Sequence, residues 1–153
     1  RGDVRAAGLP GRADRSGHPL ACASAVASIR IFEEEGILEN VRKVSDTVLA
    51  PRLAEIAAKH PSVGEVRGLG FFWGLELVRN PETREPLVPF NASGAAAGPM
   101  NEFAAACKAE GLWPFVHFNR THVVPPCTTT AEEMTEGLDI LDRALEVADR
   151  FTA

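Results

Sequence analysis

The stretch VGEVRGLGFFWGLELV, residues 63–78, is the part of the chain that decides its fold. The stretch contains four glycines and three consecutive aromatic residues, Phe71, Phe72 and Trp73, and it continues with the alternating residues Leu75, Glu76 and Leu77. Alternation with a period of two is typical of a strand with one buried face, and glycine permits a bend or bulge between strand segments. These residues therefore predict two strand segments joined by a bend.

Two helices are predicted upstream of this stretch. The first begins at the sequence Ser-Gly-His-Pro, residues 16–19, and Gly36 ends it. Its residues are apolar or small on almost every face, so we expect this helix to be largely buried. The second runs from about Leu38 to Lys59, and Pro51 should kink it or split it in two.

Downstream, the sequence predicts a loop over residues 79–98, a helix over 99–110, and strands at 112–116 and 121–124. Thr130 and Glu133 form a capping box, after which apolar residues at steps of four and three predict the last helix. The order is α-α-β-β-α-β-β-α. This order indicates an α+β fold, with a small, mostly antiparallel sheet and helices on one face.

The net charge, the cysteine spacing and the lack of long apolar runs argue against several classes of protein and site. The chain has 153 residues and a net charge of −5, which argues against nucleic acid or an anionic membrane as partner. Three widely spaced cysteines indicate free thiols rather than a metal site, and Cys22 in the first helix should be buried. No apolar run is long enough to cross a membrane, and no secretory signal is present, so we expect a cytoplasmic protein. The first residue is not methionine, which indicates a fragment or a processed chain.

Five short motifs follow one another in a fixed order: SGHPLA at 16–21, VRGLG at 66–70, GLEL at 74–77, GL at 111–112 and VVPP at 123–126. This set resembles the C-terminal portion of class III pyridoxal-phosphate-dependent aminotransferases, the omega-amino-acid and taurine–pyruvate type included. The resemblance implies fold type I, with a large cofactor domain and a small C-terminal domain in a homodimer. Residues 16–153 would be that small domain, and residues 1–15 a flexible or unrelated lead-in.

The resemblance also implies an activity, the transfer of an amino group from an amine or omega-amino acid to a 2-oxo acid such as pyruvate. Its cofactor-binding motif is matched by Ser16, Gly17, His18 and Pro19, but Asp14 replaces the threonine that binds the cofactor phosphate. A carboxylate repels a phosphate.

For the substrate, His122 stands where many members of the family have an arginine, and Arg120 in the preceding loop is the candidate to bind a substrate carboxylate. The alternatives are a solvated loop arginine and an ordinary strand histidine. Arg67 in VRGLG is expected to brace the bend.

No catalytic residue of the family is expected in this chain. Its three lysines, Lys43, Lys59 and Lys108, lie on polar helical faces, whereas a lysine that forms a Schiff base must be desolvated or lie near another cation. We therefore expect the chain alone to be inactive and to retain no pyridoxal phosphate. A truncated gene or a shifted reading frame upstream of Ser16 would account for the missing region.

Two other readings stay open. Residues 67–74 are similar to an RNA-recognition signature, although Leu69 and Gly74 replace two of its aromatic residues, so a non-catalytic α+β binding module is one alternative. A non-functional gene remnant is the other. The glycines at 68–74 do not open a helix, which argues against a dinucleotide site.

Overall fold

The computed structural model describes residues 17–153, and Asp14, Ser16 and the lead-in over residues 1–15 lie outside the described part. The chain divides into two units, which end and begin at Ile37 and Leu38. The first unit contains α1 (Pro19–Glu34), with Pro19 in its first turn and His18 as N-cap. Gly36, with φ of +61°, follows the end of α1, as the sequence predicts.

The expectation that α1 is buried is wrong for this chain. None of its residues is buried, and Leu20 and Ile29 are 73% and 61% exposed. Cys22, expected to be buried, is also exposed. A helix that is apolar or small on almost every face needs covering surface on every side to be buried.

The second helical region is split just before Pro51. Helix α2 (Ile37–Val44) passes through a π-helical turn (Ser45–Leu49) into α3 (Ala50–Lys59). Proline has no backbone N–H and cannot donate the hydrogen bond that would continue the α-helix. The wider π-helical turn before Pro51 accommodates this break in the hydrogen-bond pattern. His60 ends α3, as the sequence predicts.

The sheet is antiparallel throughout, in the order β1-β2-β5-β4, with the short β3 paired to the end of β2. The strands are β1 (Val63–Leu69), β2 (Phe72–Asn80), β3 (Glu85–Pro86), β4 (Phe115–His117) and β5 (Arg120–Val123). The predicted bend is the tight turn between β1 and β2. The predicted loop 79–98 is only partly a loop, because it contains the end of β2, all of β3 and the 3-10 turn Gly94–Ala97.

Helices cover one face of this sheet, which confirms the α+β class. They are α3, α4 (Gly98–Ala109) and α5 (Ala131–Asp149), and α5 begins with the expected capping box of Thr130 and Glu133. The core between helices and sheet is dry and apolar; fully buried side chains include Leu49, Leu53, Ile56, Leu75, Leu77, Phe103 and Leu145. The other face of the sheet is left for polar and aromatic side chains.

A charged cluster fastens α3 to α5 at one end of the core. His60, only 2% exposed, lies between two carboxylates: its Nε2 is 2.6 Å from Asp142 and its Nδ1 is 2.6 Å from Asp149. Ser62 donates its hydroxyl to Asp149, and Lys59 reaches Asp142 at 2.8 Å. Each ring nitrogen of His60 therefore has a carboxylate oxygen within hydrogen-bond distance.

Candidate functional site

The uncovered face of the sheet carries the candidate substrate residues. Side chains alternate along β5, so Arg120 and His122 point to this face while Thr121 between them is 1% exposed in the core. In the sheet register, Arg120 lies opposite Glu76 and His122 lies opposite Gly74 of β2. A groove of about 290 Å³ lies on this face of the sheet. Its lining residues are Arg67, Gly68, Phe72, Gly74, Glu76, Arg120 and His122.

Arg120 is the first residue of β5 and does not lie in the preceding loop, where the sequence suggested it. The register closes the β4–β5 hairpin directly at His117 and Arg120, so Arg120 is already paired. Its Nη2 lies 3.5 Å from Nδ1 of His117. Within residues 17–153, no carboxylate approaches the Arg120 guanidinium within 4.0 Å, which leaves a fork-shaped donor facing the groove.

Arg67 is engaged by contrast. Its guanidinium contacts Glu65 at 3.0 Å and Glu76 at 2.8 Å. It therefore links β1 to β2, the two strands that the bend joins, which agrees with the structural role expected for it, although its contacts lie along the strands and not at the turn itself. An arginine that already holds two carboxylates is a poor site for a third.

His122 is part of an aromatic stack on the same face. Its ring lies parallel to Phe115, with centroids 5.2 Å apart, and 6.0 Å from Phe72. Gly74 makes room for it, since a Cβ there would lie 3.3 Å from the imidazole. Burial first, and then the charges of Arg120 and His117, lower the pKa of His122 below its ordinary value. His122 is thus a stacked imidazole whose protonated form is disfavoured.

Sequence reasoning missed the partners of this pair: Phe72, Gly74 and Glu76 of β2, and Phe115 of β4. The signal for β2 was present, because residues 72, 74 and 76 alternate with the core residues of the strand. No local pattern in the sequence predicts that β2 pairs with β5.

The N-terminal motif belongs to the other unit. Gly17 has φ of +74°, and His18 is exposed and makes no side-chain capping bond to α1. Ser16 and Asp14 are outside the described residues.

The three lysines are all described, and none is buried. Lys43 is exposed on α2, Lys59 is paired with Asp142, and Lys108 lies 4.1 Å from the centroid of the exposed Trp113 ring. None of the three lysines lines the groove or the larger cavity between α5 and the β4–β5 segment.

A larger cavity of about 480 Å³ lies between α5 and the segment around β4 and β5. Its walls are mainly apolar, with Leu112, Met134 and Leu141 among them, and Glu133 is its one charged residue in the described chain. Glu133 is already used in the capping box. This cavity offers packing surface and little chemistry.

Three further observations concern membranes, metals and RNA. In residues 17–153, no helix combines the length and apolar character that a membrane span requires. The same part of the chain holds no group of three or more metal-ligating side chains. Phe71, in the segment similar to the RNA-recognition signature, is 5% exposed in the core, so it cannot stack on a base.

The comparisons with known proteins agree with the fold. A probable gamma-aminobutyrate transaminase 3 of Oryza sativa subsp. japonica is 36% identical over 141 residues, which are 90% of this chain and 26% of that protein. The taurine:2-oxoglutarate aminotransferase of Bifidobacterium kashiwanohense, solved with PLP and glutamate, superposes with a TM-score of 0.78 at 33% identity. That match covers 88% of this chain and 29% of the other.

A PMP-bound aminotransferase from Vibrio fluvialis superposes with a TM-score of 0.76 at 31% identity, covering 90% of this chain and 28% of that one. This chain thus spans between a quarter and a third of the length of these relatives. The model of the class III aminotransferase family matches residues 15–145. The chain belongs to the class III aminotransferase family.

Proposed function

We propose that this chain is the small C-terminal domain of an aminotransferase that moves an amino group from an amine or omega-amino acid to a 2-oxo acid such as pyruvate. Family membership and the names of the relatives, which act on gamma-aminobutyrate and taurine, support the reaction class. A homodimer is proposed for the longer enzyme on the same family ground.

The observation that carries the proposal is the guanidinium of Arg120 facing the groove without a carboxylate partner in the described chain. Planar guanidinium groups bind carboxylates through two parallel hydrogen bonds. The ring of His122 is stacked on Phe115 and its protonated form is disfavoured, so it supplies an apolar wall and a hydrogen-bonding edge rather than a permanent positive charge. We infer that Arg120 holds the carboxylate of the acid substrate, with His122 beside it.

The test uses a longer enzyme of the family that carries residues 17–153 of this chain as its own C-terminal segment. Arg120→Ala should raise the KM for pyruvate about tenfold or more, as expected when a hydrogen-bonded charge is removed, and should leave an amine without an acid group nearly unaffected. Arg120→Lys is the matched control, because it keeps the positive charge and loses the planar guanidinium that donates two parallel hydrogen bonds. Equal effects of Arg120→Ala on both substrates would show that Arg120 does not bind the carboxylate.

We also propose that the chain alone does not catalyse transamination and retains no pyridoxal phosphate. The cofactor supplies the electron sink of the reaction when it is bound, and it needs a lysine in a desolvated site. Lys59 and Lys108 are occupied by Asp142 and Trp113, and Lys43 is solvated.

The experiment is dialysis of the chain after incubation with pyridoxal phosphate, followed by addition of alanine or taurine. We expect no stoichiometric retention and no spectral change of bound cofactor. Retention of one cofactor per chain with a spectral response to the amino donor would overturn this. Slow reaction of surface lysines with pyridoxal phosphate would give only a faint yellow colour. The measured ratio of cofactor to chain distinguishes this from retention of one cofactor per chain.

A further inference from the structure

The turn that leads into Arg120 has an unusual backbone. His117 and Arg120 pair across the β4–β5 hairpin, so Phe118 and Asn119 form a two-residue turn between them. Phe118 has φ of +53°, in the left-handed region that side chains with a Cβ rarely adopt. The first central position of a tight hairpin turn with positive φ is usually glycine. A phenylalanine persists there only when its surroundings hold it.

Two sets of contacts hold this turn. The ring of Phe118 lies 4.8 Å from that of Phe90 and 4.1 Å from that of His117, measured between centroids. Asn119 fastens the backbone to β2: its carbonyl accepts from the N–H of Leu77 at 2.7 Å, and its side-chain amide donates to the carbonyl of Leu77 at 3.2 Å. The hydrogen bonds of Asn119 hold the turn backbone, and the ring of Phe118 adds contacts to Phe90 and His117.

The ring of Phe118 leads to Arg120 through one intermediate. His117 lies between them, with its ring against Phe118 and its Nδ1 3.5 Å from Nη2 of Arg120. A guanidinium can only donate, so Nδ1 of His117 is the acceptor. Because no carboxylate in residues 17–153 holds this guanidinium, the imidazole of His117 is the polar group that orients it.

We propose that Phe118 is a positioning residue for Arg120. The Phe90 and Phe118 rings fix the plane of the His117 imidazole, and His117 in turn fixes the guanidinium over the groove. The backbone strain at Phe118 is the cost of this aromatic support. The inference rests on the proposed role of Arg120 in carboxylate binding, but it concerns different residues and can fail separately.

The test uses the whole chain and a substitution that separates positioning from stability. Phe118→Gly removes the ring and suits the backbone of the turn, so the unfolding midpoint in urea should stay the same or rise. The order of the Arg120 side chain, measured by the ¹⁵N–¹H heteronuclear NOE at its Nε, should fall. Phe90→Ala should lower it as well, and Phe118→Tyr, which keeps the stack, should preserve it.

The same variants are titrated with pyruvate, and with acetone as the uncharged control. Phe118→Gly should weaken pyruvate binding about tenfold, the factor for losing one hydrogen bond to a charged group, while Phe118→Tyr should not. An unchanged NOE and unchanged pyruvate affinity in Phe118→Gly would overturn the proposal. If Arg120→Ala leaves pyruvate binding unaltered, the carboxylate site is wrong, and the NOE comparison still decides whether Phe118 orders Arg120.

Discussion

His60 and Asp142 lie 82 residues apart in the chain, and Nε2 of the buried imidazole contacts the carboxylate at 2.6 Å. Asp149 holds the other ring nitrogen, so His60 ties the end of α3 to two turns of α5. This pair is the centre of the charged cluster that closes one end of the core.

Replacing His60 should therefore destabilise the fold strongly. His60→Ala leaves Asp142 and Asp149 without the buried ring that bridges them and leaves a cavity in its place, and together these losses should cost about 3 kcal/mol of unfolding free energy. Urea denaturation at pH 7 measures it. Lys59→Ala is the control, because Lys59 contacts the same carboxylate but its side chain is 51% exposed, and it should cost no more than about 1 kcal/mol. If His60→Ala and Lys59→Ala lower the unfolding free energy by similar amounts, His60 does not have the dominant role in the cluster that is proposed for it.

Asp142 makes the stability depend on acid pH. Burial alone would raise the pKa of this carboxyl, but hydrogen bonds from Lys59 and His60 and the charge of Arg52 outweigh it and lower the pKa to about 2. A group with a lowered folded pKa adds stability above its unfolded value, near 3.8, and that stability is lost as the pH falls towards 2. The loss is on the order of 2 kcal/mol between pH 5 and pH 2.

Urea midpoints between pH 5 and pH 2 check this. In Asp142→Asn, the acid-induced decrease should be smaller by that amount, although the variant is less stable at pH 7. An identical decrease in both proteins would show that other carboxyls carry the acid dependence.

The cysteines should react at two different rates. Burial raises the pKa of the Cys107 thiol to about 11, and this residue is fully enclosed, whereas Cys22 and Cys127 are exposed. Thiolate is the reactive form, so an aromatic disulfide reagent at pH 8 should label two thiols quickly and the third only in urea. Cys107→Ser should remove the slow thiol alone. Three fast thiols in the folded chain would contradict the enclosure of Cys107.

Helix α1 should make the isolated chain self-associate. Leu20, Ile29 and Phe32 are 73%, 61% and 44% exposed, and large apolar patches tend to find a partner or aggregate. Light scattering at rising concentration should show species above the monomer, with binding of a hydrophobic dye. Ile29→Lys with Phe32→Lys should reduce both signals, and Trp113→Lys, on another exposed apolar residue, should not. A wild-type chain that stays monomeric and binds no hydrophobic dye would contradict the predicted self-association.

Some features of the fold were readable in the sequence because they are local. The capping box of Thr130 and Glu133 needs residues three apart, and the alternation in β2 repeats every second residue. Pro51 affects only the turn before it, although the sequence could not say that a π-helical turn would absorb the break. The order of motifs was sufficient to indicate the family, which the family model confirms over residues 15–145.

What only the tertiary structure decided are the pairings between distant segments. The sequence suggested a structural role for Arg67 and a substrate-binding role for Arg120, but it could not show that Arg67 contacts two glutamates while Arg120 contacts none in the described chain. It likewise could not place His60 between two aspartates more than 80 residues away. The physical reason is that helix caps and strand periodicity arise from bonds within a few residues, whereas the charge state and neighbours of a site depend on which strands and helices meet.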